Sequence, residues 1–316
     1  MARRRLSQLQ KNRIQQAQDA ISANDESNVE GLVISHHGGK IIVETMDMGS
    51  IECRVRSNLG TIVCGDRVVC EHTVANDHRV VAIRPRHNFL QRLDGFGQPK
   101  SVAANISQLL ICLAVKPEPN LYLLDQYLVS AEQQDLNAVI ILNKIDLLVE
   151  QEQDPFCLET IYAPLGYAVL SISVKSGYGM DRLVSVFDND SSVLSGVSGV
   201  GKSSITQAML PDEEIKIADI SEANEEGRHT TRTSRLYHLA NNGQLIDTPG
   251  IRGFNPLLDQ NKPLGDGFRE IHHFAADCRF NNCRHLNEPE CAVSSAVTRN
   301  DIADSRYQNY LKMLGD

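Results

Sequence analysis

The octapeptide Gly196-Val197-Ser198-Gly199-Val200-Gly201-Lys202-Ser203 constrains this chain more than any other stretch of it. It satisfies G-x-x-x-x-G-K-[ST], and the text around it reads as a short strand, Ser192 to Leu194, and a helix, Lys202 to Leu210. Glycines let successive backbone N–H groups converge on phosphate oxygens with no Cβ in the way, and the helix N-terminus adds its partial positive charge. The segment, with Ser204 behind it, therefore predicts an anion cradle. In it Lys202 reaches the β and γ phosphates and the Ser203 hydroxyl ligates Mg²⁺.

From about Gln108 onward, short apolar strands alternate with helices, the pattern of a parallel sheet covered on both faces. The strand candidates are Leu109 to Val115, Val139 to Leu142, Ala168 to Ile172, Ser192 to Leu194 and Gln244 to Ile246. Leu121 to Gln133, Met180 to Phe187 and Lys202 to Leu210 read as the helices. Ligands bind at the carboxyl ends of such strands. Asp247-Thr248-Pro249-Gly250 closes one of them, where Asp247 can hold Mg²⁺ through water and the Gly250 N–H can sense a γ-phosphate. The stretch from Pro211 to Arg228, rich in Glu and Asp, reads as a mobile loop.

Asn143-Lys144-Ile145-Asp146 follows another strand, so it lies at the same predicted edge. A carboxylate there accepts protons from N1 and the exocyclic N2 of guanine, whereas adenine offers an acceptor at N1 and has no N2 amine. Pairing of this kind discriminates by factors on the order of 10⁴. Ser173-Val174-Lys175, at the end of the next strand, supplies a backbone N–H for guanine O6. These four elements together are the GTPase signature, but the base motifs at 143–146 and 173–175 precede the phosphate loop at 196–203. The order is a circular permutation. The assembled sheet can be unchanged, because the position of strand ends in space builds the site.

Upstream, Gly31 to Ser35, Lys40 to Thr45, Ile51 to Arg56, Arg67 to Thr73 and Arg79 to Ile83 read as five short strands, with a tight hairpin at His37-Gly38-Gly39-Lys40. An OB-type barrel, which binds nucleic acid on its face and loops, fits them; an SH3-like barrel fits equally. Arg84, Arg86, His87 and Arg92 come next, as phosphate contacts or as a solvated linker. The formal charge is −9, yet Arg3, Arg4, Arg5, Lys11 and Arg13 crowd the N-terminus. Such an arm suits a polyanion such as rRNA, or is a solvated tail. No apolar segment follows it and no run approaches the roughly 20 residues that span a bilayer, so a cytoplasmic protein is expected.

Of the eight cysteines, Cys53, Cys64, Cys70, Cys112 and Cys157 sit in apolar text and read as small core residues. Cys278, Cys283, His285 and Cys291 form C-x₄-C-x-H-x₅-C, the donor set of a closed structural zinc site. His272 and His273 lie close by and are not counted as ligands. A unit so small and so poor in apolar residues needs metal to hold its fold, and Asn300 to Leu314 reads as its closing helix.

A barrel, a permuted GTPase and a Cys/His cluster in this order closely resemble the RsgA (YjeQ) family of small-ribosomal-subunit-dependent GTPases, from about Gly31 to the C-terminus. After the basic arm (1–29), the resemblance implies an OB-fold RNA-binding domain (30–92), a circularly permuted GTPase domain (93–265) and a mostly helical zinc-binding domain (266–316). It also implies a monomer that binds the small (30S) ribosomal subunit and its rRNA, assists late maturation, and hydrolyses GTP to GDP and phosphate with stimulation by the subunit. Gly227-Arg228-His229-Thr230-Thr231 resembles the family's first switch. Thr231 is favoured over Thr230 as the Mg²⁺ ligand, although Arg232 interrupts the family's run of threonines. Ile251 follows Gly250 and cannot position water, which leaves His229 for that task. The short link from the second switch to the zinc unit implies that nucleotide state repositions that unit. The competing functions are an RNA-binding scaffold with a static nucleotide site and an adenine-specific NTPase or kinase sharing only the phosphate loop.

Overall fold

Alternating burial along the N-terminal strands closes them on themselves. A computed structural model of the chain describes residues 28–37, 40–56, 59–72, 77–93, 97–148, 154–210, 234–247, 255–259 and 261–315. Strands β1 (Asn28–His37), β2 (Lys40–Thr45), β3 (Gly49–Val55), β4 (Arg67–Glu71) and β5 (His78–Ile83) form a barrel ordered β1-β2-β3-β5-β4-β1. All its pairings are antiparallel except β3 against β5. This closure, with one parallel pair among antiparallel ones, makes a five-stranded barrel. Val33, Ile41, Val43, Cys53, Cys70 and Val80 fill its interior with no exposed surface.

β6 (Phe89–Leu93) and β7 (Pro99–Ala104) pair antiparallel and lead into the larger sheet. There β8 (Gln108–Ala114), β9 (Asn137–Asn143), β10 (Ala168–Ser171), β11 (Ser191–Ser195) and β13 (Gln244–Asp247) run parallel in the order β10-β9-β8-β11-β13, with β12 (Arg235–His238) antiparallel at the end. β8 is buried at every position, as a central parallel strand must be. Its side chains divide by period 2: Leu109, Ile111 and Leu113 enter one core, and Leu110, Cys112 and Ala114 the other. Helices α1 (Leu121–Gln133), α2 (Leu158–Tyr162), α3 (Met180–Val186) and α4 (Lys202–Met209) accompany the sheet. Asn120 caps α1 by accepting the Leu123 N–H. One further pairing, Ser35 of β1 with Arg235 of β12, joins the barrel and the larger sheet into eleven continuous strands.

β14 (Asn255–Pro256) pairs with β6, and three short helices follow: α5 (Arg269–Ala275), α6 (Ala292–Thr298) and α7 (Asp304–Gly315). They pack against α1, whose Val129 shares a core with Phe268, Ile271 and Tyr310. A buried charge cluster fixes this contact. Arg306 of α7 donates to both oxygens of Glu270 at 2.7 and 3.0 Å and to Asp125 of α1 at 2.5 Å. Asp125 also accepts from Tyr162 at 2.8 Å and Asn309 at 2.6 Å.

Several expectations change here. β1 begins at Asn28, β6 crosses 92/93, and the 3₁₀ turn Leu264–Gly267 crosses 265/266, so each domain division drawn from the sequence falls inside an element. β6, β7, β12, β14, α2, α5 and α6 were not anticipated. Cys157 is exposed rather than core, because it occupies a left-handed position (φ 52°) just before α2, while Cys53, Cys64, Cys70 and Cys112 are buried as expected. The basic arm, Gly38 and Gly39 of the hairpin, and the acidic stretch from Pro211 lie outside the described residues. No helix among the described residues is long and apolar enough to cross a membrane.

Because truncating Arg306 would leave two buried carboxylates without their cation, Arg306→Ala is expected to lower stability by about 3–5 kcal/mol. Urea titration followed by tyrosine fluorescence reads this directly, since the chain has no Trp.

Candidate nucleotide site and metal centre

The carboxyl ends of β8, β9, β11 and β13 lie along one edge, with Ala114 paired to Asn143, Ile111 to Ser195 and Val193 to Ile246. The loop after β11 carries the glycine-rich octapeptide into α4, as its sequence predicts. Two of its glycines are required by geometry. A Cβ on Gly196 would come within 2.2 Å of the Cys112 carbonyl, and one on Gly201, where φ is +97°, within 2.3 Å of Asn143 Nδ2.

Across the edge, Asn143 is 2% exposed, and both its carboxamide nitrogen and its oxygen are hydrogen-bonded. Nδ2 donates to the Val200 carbonyl at 3.0 Å, while Oδ1 accepts from the Lys144 N–H at 2.8 Å and the Val174 N–H at 3.4 Å. One side chain thus joins the phosphate loop to both base motifs. Lys144 reaches back over the loop, donating from Nζ to the carbonyls of Lys116 and Gly199. Ser173 donates from Oγ to Asp146 Oδ1 at 2.7 Å, and Lys175 Nζ stands 3.9 Å from the other Asp146 oxygen. Lys202 folds across its own loop, donating to Gly196 O at 2.7 Å and Val197 O at 2.9 Å. Burial pulls its ammonium below the usual lysine range, and the Asp247 carboxylate opposes that shift. Ser203 and Ser204 lie exposed in the first turn of α4.

The structure therefore brings Asn143, Lys144, Asp146, Ser173, Val174, Lys175 and the loop from Gly196 to Ser204 to one rim, with Asp247 at the end of β13 beside β11. His229, Thr230, Thr231, Gly250 and Ile251 lie outside the described residues. The sequence reading missed Lys116, whose carbonyl receives Lys144; its place just after β8, at the same edge, was the available signal.

This geometry meets the comparisons with known proteins. The sequence model of the RsgA GTPase matches residues 83–256. Small ribosomal subunit biogenesis GTPase RsgA of Saccharophagus degradans is 40% identical, over 99% of this chain and 97% of its own. The chain belongs to the RsgA family. The RsgA protein of Hahella chejuensis is likewise 40% identical, over 99% of this chain and 96% of its own. Among solved structures, YjeQ from Thermotoga maritima superposes with a TM-score of 0.72 at 32% identity, covering 90% of this chain and 97% of that one. YloQ, described as a circularly permuted GTPase, superposes with a TM-score of 0.69 at 27% identity, covering 94% and 97%. The permuted motif order of this chain agrees with the description of YloQ.

The Cys/His cluster also assembles. Ligand atoms of Cys278, Cys283, His285 and Cys291 all lie within 4.8 Å of one another. A tetrahedral zinc with bonds of about 2.3 Å to sulfur and 2.0–2.1 Å to nitrogen spaces its ligands about 3.8 Å (S···S) and 3.5–3.6 Å (S···N) apart. The observed separations are 4.0 Å between the Cys278 and Cys291 sulfurs and 3.6 Å from each to His285 Nδ1, so the donor set fits a metal. Burial pushes the Cys283 thiol up to about 12 and holds His285 below its usual value, so a bound cation is what would keep the Cys283 sulfur as a thiolate beside a neutral imidazole. Tyr307 and Tyr310 of α7 donate to the carbonyls of His285 and Arg284, bracing the cluster. Neither His272, which contacts Asp266, nor His273 joins it.

The cations after the barrel are less free than the sequence suggests. Arg86 donates to both oxygens of buried Asp66, at 2.6 and 2.8 Å, and Arg84 pairs with Glu30. Their first role is to hold the barrel together.

Gly201→Ala tests the rim directly. A methyl group at this position displaces Asn143 and parts the phosphate loop from the base motifs, so affinity for a fluorescent GTP analogue is expected to fall at least about tenfold, against a thermal midpoint changed by only a few degrees.

Proposed function

We propose that this chain is a cytoplasmic GTPase that binds the small ribosomal subunit, contacts its rRNA, and leaves after hydrolysing GTP to GDP and phosphate. The observation that supports it most is the Asn143 carboxamide, which ties Val200 of the phosphate loop to Val174 of the base loop. Two half-sites written out of order along the chain are thereby joined through one side chain. The three-part division into OB-type barrel, permuted GTPase domain and zinc unit belongs to this reading, as does a monomeric state.

Each residue then has a task. Backbone N–H groups of Gly196 through Ser204 receive phosphate oxygens, and Lys202 exchanges its bonds to the Gly196 and Val197 carbonyls for bonds to the β and γ phosphates. Asp146, oriented by Ser173, accepts from guanine N1 and N2, and a backbone N–H of the Ser173-Val174-Lys175 loop meets O6. Mg²⁺, bound with the nucleotide, offsets phosphate charge and would be held by Ser203, Thr231 and, through water, Asp247. Gly250 senses the γ-phosphate through its N–H. His229 orients the attacking water, since Ile251 has no polar atom to do so. Cys278, Cys283, His285 and Cys291 hold one structural zinc, with no position left open for catalysis.

The deciding experiment is GTP hydrolysis titrated with purified small subunits. Wild type is expected to accelerate on adding subunits, and His229→Ala to lose at least about a hundredfold of the stimulated rate while still binding nucleotide. Absence of turnover with and without subunits would instead favour a scaffold. Asp146→Asn is expected to lose guanine preference in competition with ATP; retained preference would remove Asp146 from the base site. One zinc per chain by elemental analysis, lost in Cys283→Ser, checks the metal.

A further inference from the structure

Of the four clustered ligands, His285 alone has a left-handed backbone, with φ 58°, a region that a residue carrying a Cβ seldom adopts. Its imidazole is nonetheless brought into the set, with Nδ1 3.6 Å from the sulfurs of both Cys278 and Cys291. A left-handed residue in such a turn aims the N–H groups on either side of it at one point, the arrangement of an anion-binding nest. One side chain fills that nest. Glu288 accepts the Arg284 N–H on Oε1 at 2.9 Å and the Leu286 N–H on Oε2 at 2.8 Å, so its carboxylate spans the residue that carries the ligand. These bonds, that from Arg284 foremost, hold the carboxyl down at about 2, so it is ionised at neutral pH. The carbonyls of the same stretch are engaged as well, by Tyr310 Oη on Arg284 O at 2.9 Å and Tyr307 Oη on His285 O at 2.5 Å. Glu288 is not itself a ligand: its two oxygens face backbone donors, and the atoms that gather within 4.8 Å belong to Cys278, Cys283, His285 and Cys291. A fourth anion at the metal would also be unfavourable, because three thiolates already exceed the charge of a divalent cation.

We propose that Glu288 is a positioning residue for the metal centre, its carboxylate holding His285 in the left-handed turn that directs the imidazole into the cluster. This rests on the reading of Cys278, Cys283, His285 and Cys291 as a zinc site. With the carboxylate gone, two N–H groups lose their acceptor and the left-handed turn loses the contact that favours it. Zinc binding must then also supply the ordering of its histidine, so the loss falls on metal affinity and not only on local stability.

The test measures zinc affinity, by competition with a chromophoric chelator, in wild type, Glu288→Gln and Glu288→Ala. Glutamine keeps one acceptor and sets an NH₂ group against the other backbone N–H, whereas alanine keeps neither acceptor. Expected are a loss of about tenfold to a hundredfold in zinc affinity for Glu288→Ala and a smaller loss for Glu288→Gln, with affinity for a fluorescent GTP analogue within about twofold of wild type in both. Cobalt in place of zinc reads the ligand geometry, and its d–d bands are expected to shift in Glu288→Ala. The rise in thermal midpoint on adding zinc is expected to shrink in step with the lost affinity. Unchanged zinc affinity in Glu288→Ala overturns the proposal alone, and where that variant does not fold, unchanged affinity in Glu288→Gln does so. An equal fall in midpoint with and without zinc, at unchanged affinity, also overturns it, since that marks a role in local packing. A wild type that binds no zinc overturns the metal reading, and this proposal with it.

Discussion

Everything in the candidate site depends on one buried carboxamide. Asn143 sits at the end of β9, 2% exposed, with no solvent to satisfy it, so its donor and acceptor must find partners in the protein. They find them in two loops that the chain writes on either side of the phosphate-loop strand, at Val200 and Val174. Loss of either partner would leave a desolvated polar atom costing about 1–3 kcal/mol, so the two loops are held in register by the cost of separating them. Permutation changes which covalent links join the strands and leaves this requirement untouched. The sheet order β10-β9-β8-β11-β13 therefore assembles whatever the order of synthesis.

The units on either side are fastened to this sheet by different physics. The C-terminal helices rest on α1 through an apolar core and the Arg306–Asp125–Glu270 cluster, in which a guanidinium is shared by two carboxylates with almost no exposure. The sequence had suggested that the short link from the second switch would let nucleotide state reposition the zinc unit. With Arg306 bonded to α1, any such movement must carry α1 along or separate buried charges, which is strongly unfavourable. The barrel is attached by strand pairing and by β1's apolar outer face, with no comparable buried ion pair at the seam among the described residues. Of the two attachments, the barrel's is the one that can give.

How much of this was legible follows the range of the forces involved. Local signals sufficed for α1, read from its periodicity to the residue, and for the five central parallel strands, whose apolar runs are bounded by motif residues. The phosphate loop and the Cys/His spacing were legible because their chemistry dictates residue types at fixed intervals. What escaped depends on distant partners. Neither β6 nor β14 has an apolar pattern of its own; Leu93 becomes a strand residue because Pro99 and Asn255 lie on its two sides. The parallel β3–β5 pairing within the barrel has no signature in either strand. Arg84 and Arg86 read as available cations because their partners, Glu30 and Asp66, are 54 and 20 residues away. Cys157 looked like core text until the turn before α2 put it outside.

The permutation also decides where the links that follow α4 and β13 end. Residues 211–233 run from α4 into β12, and β12 pairs with β1 of the barrel. Residues 248–254 run from β13 into β14, and β14 pairs with β6, the first strand after the barrel. The second starts at the phosphate edge, after Asp247, whereas the first leaves the far end of α4 and returns to that edge at Arg235, which pairs with Asp247. In the unpermuted order the strands that carry the base motifs would follow the second segment; here the chain is free to pass from β14 to the C-terminal helices.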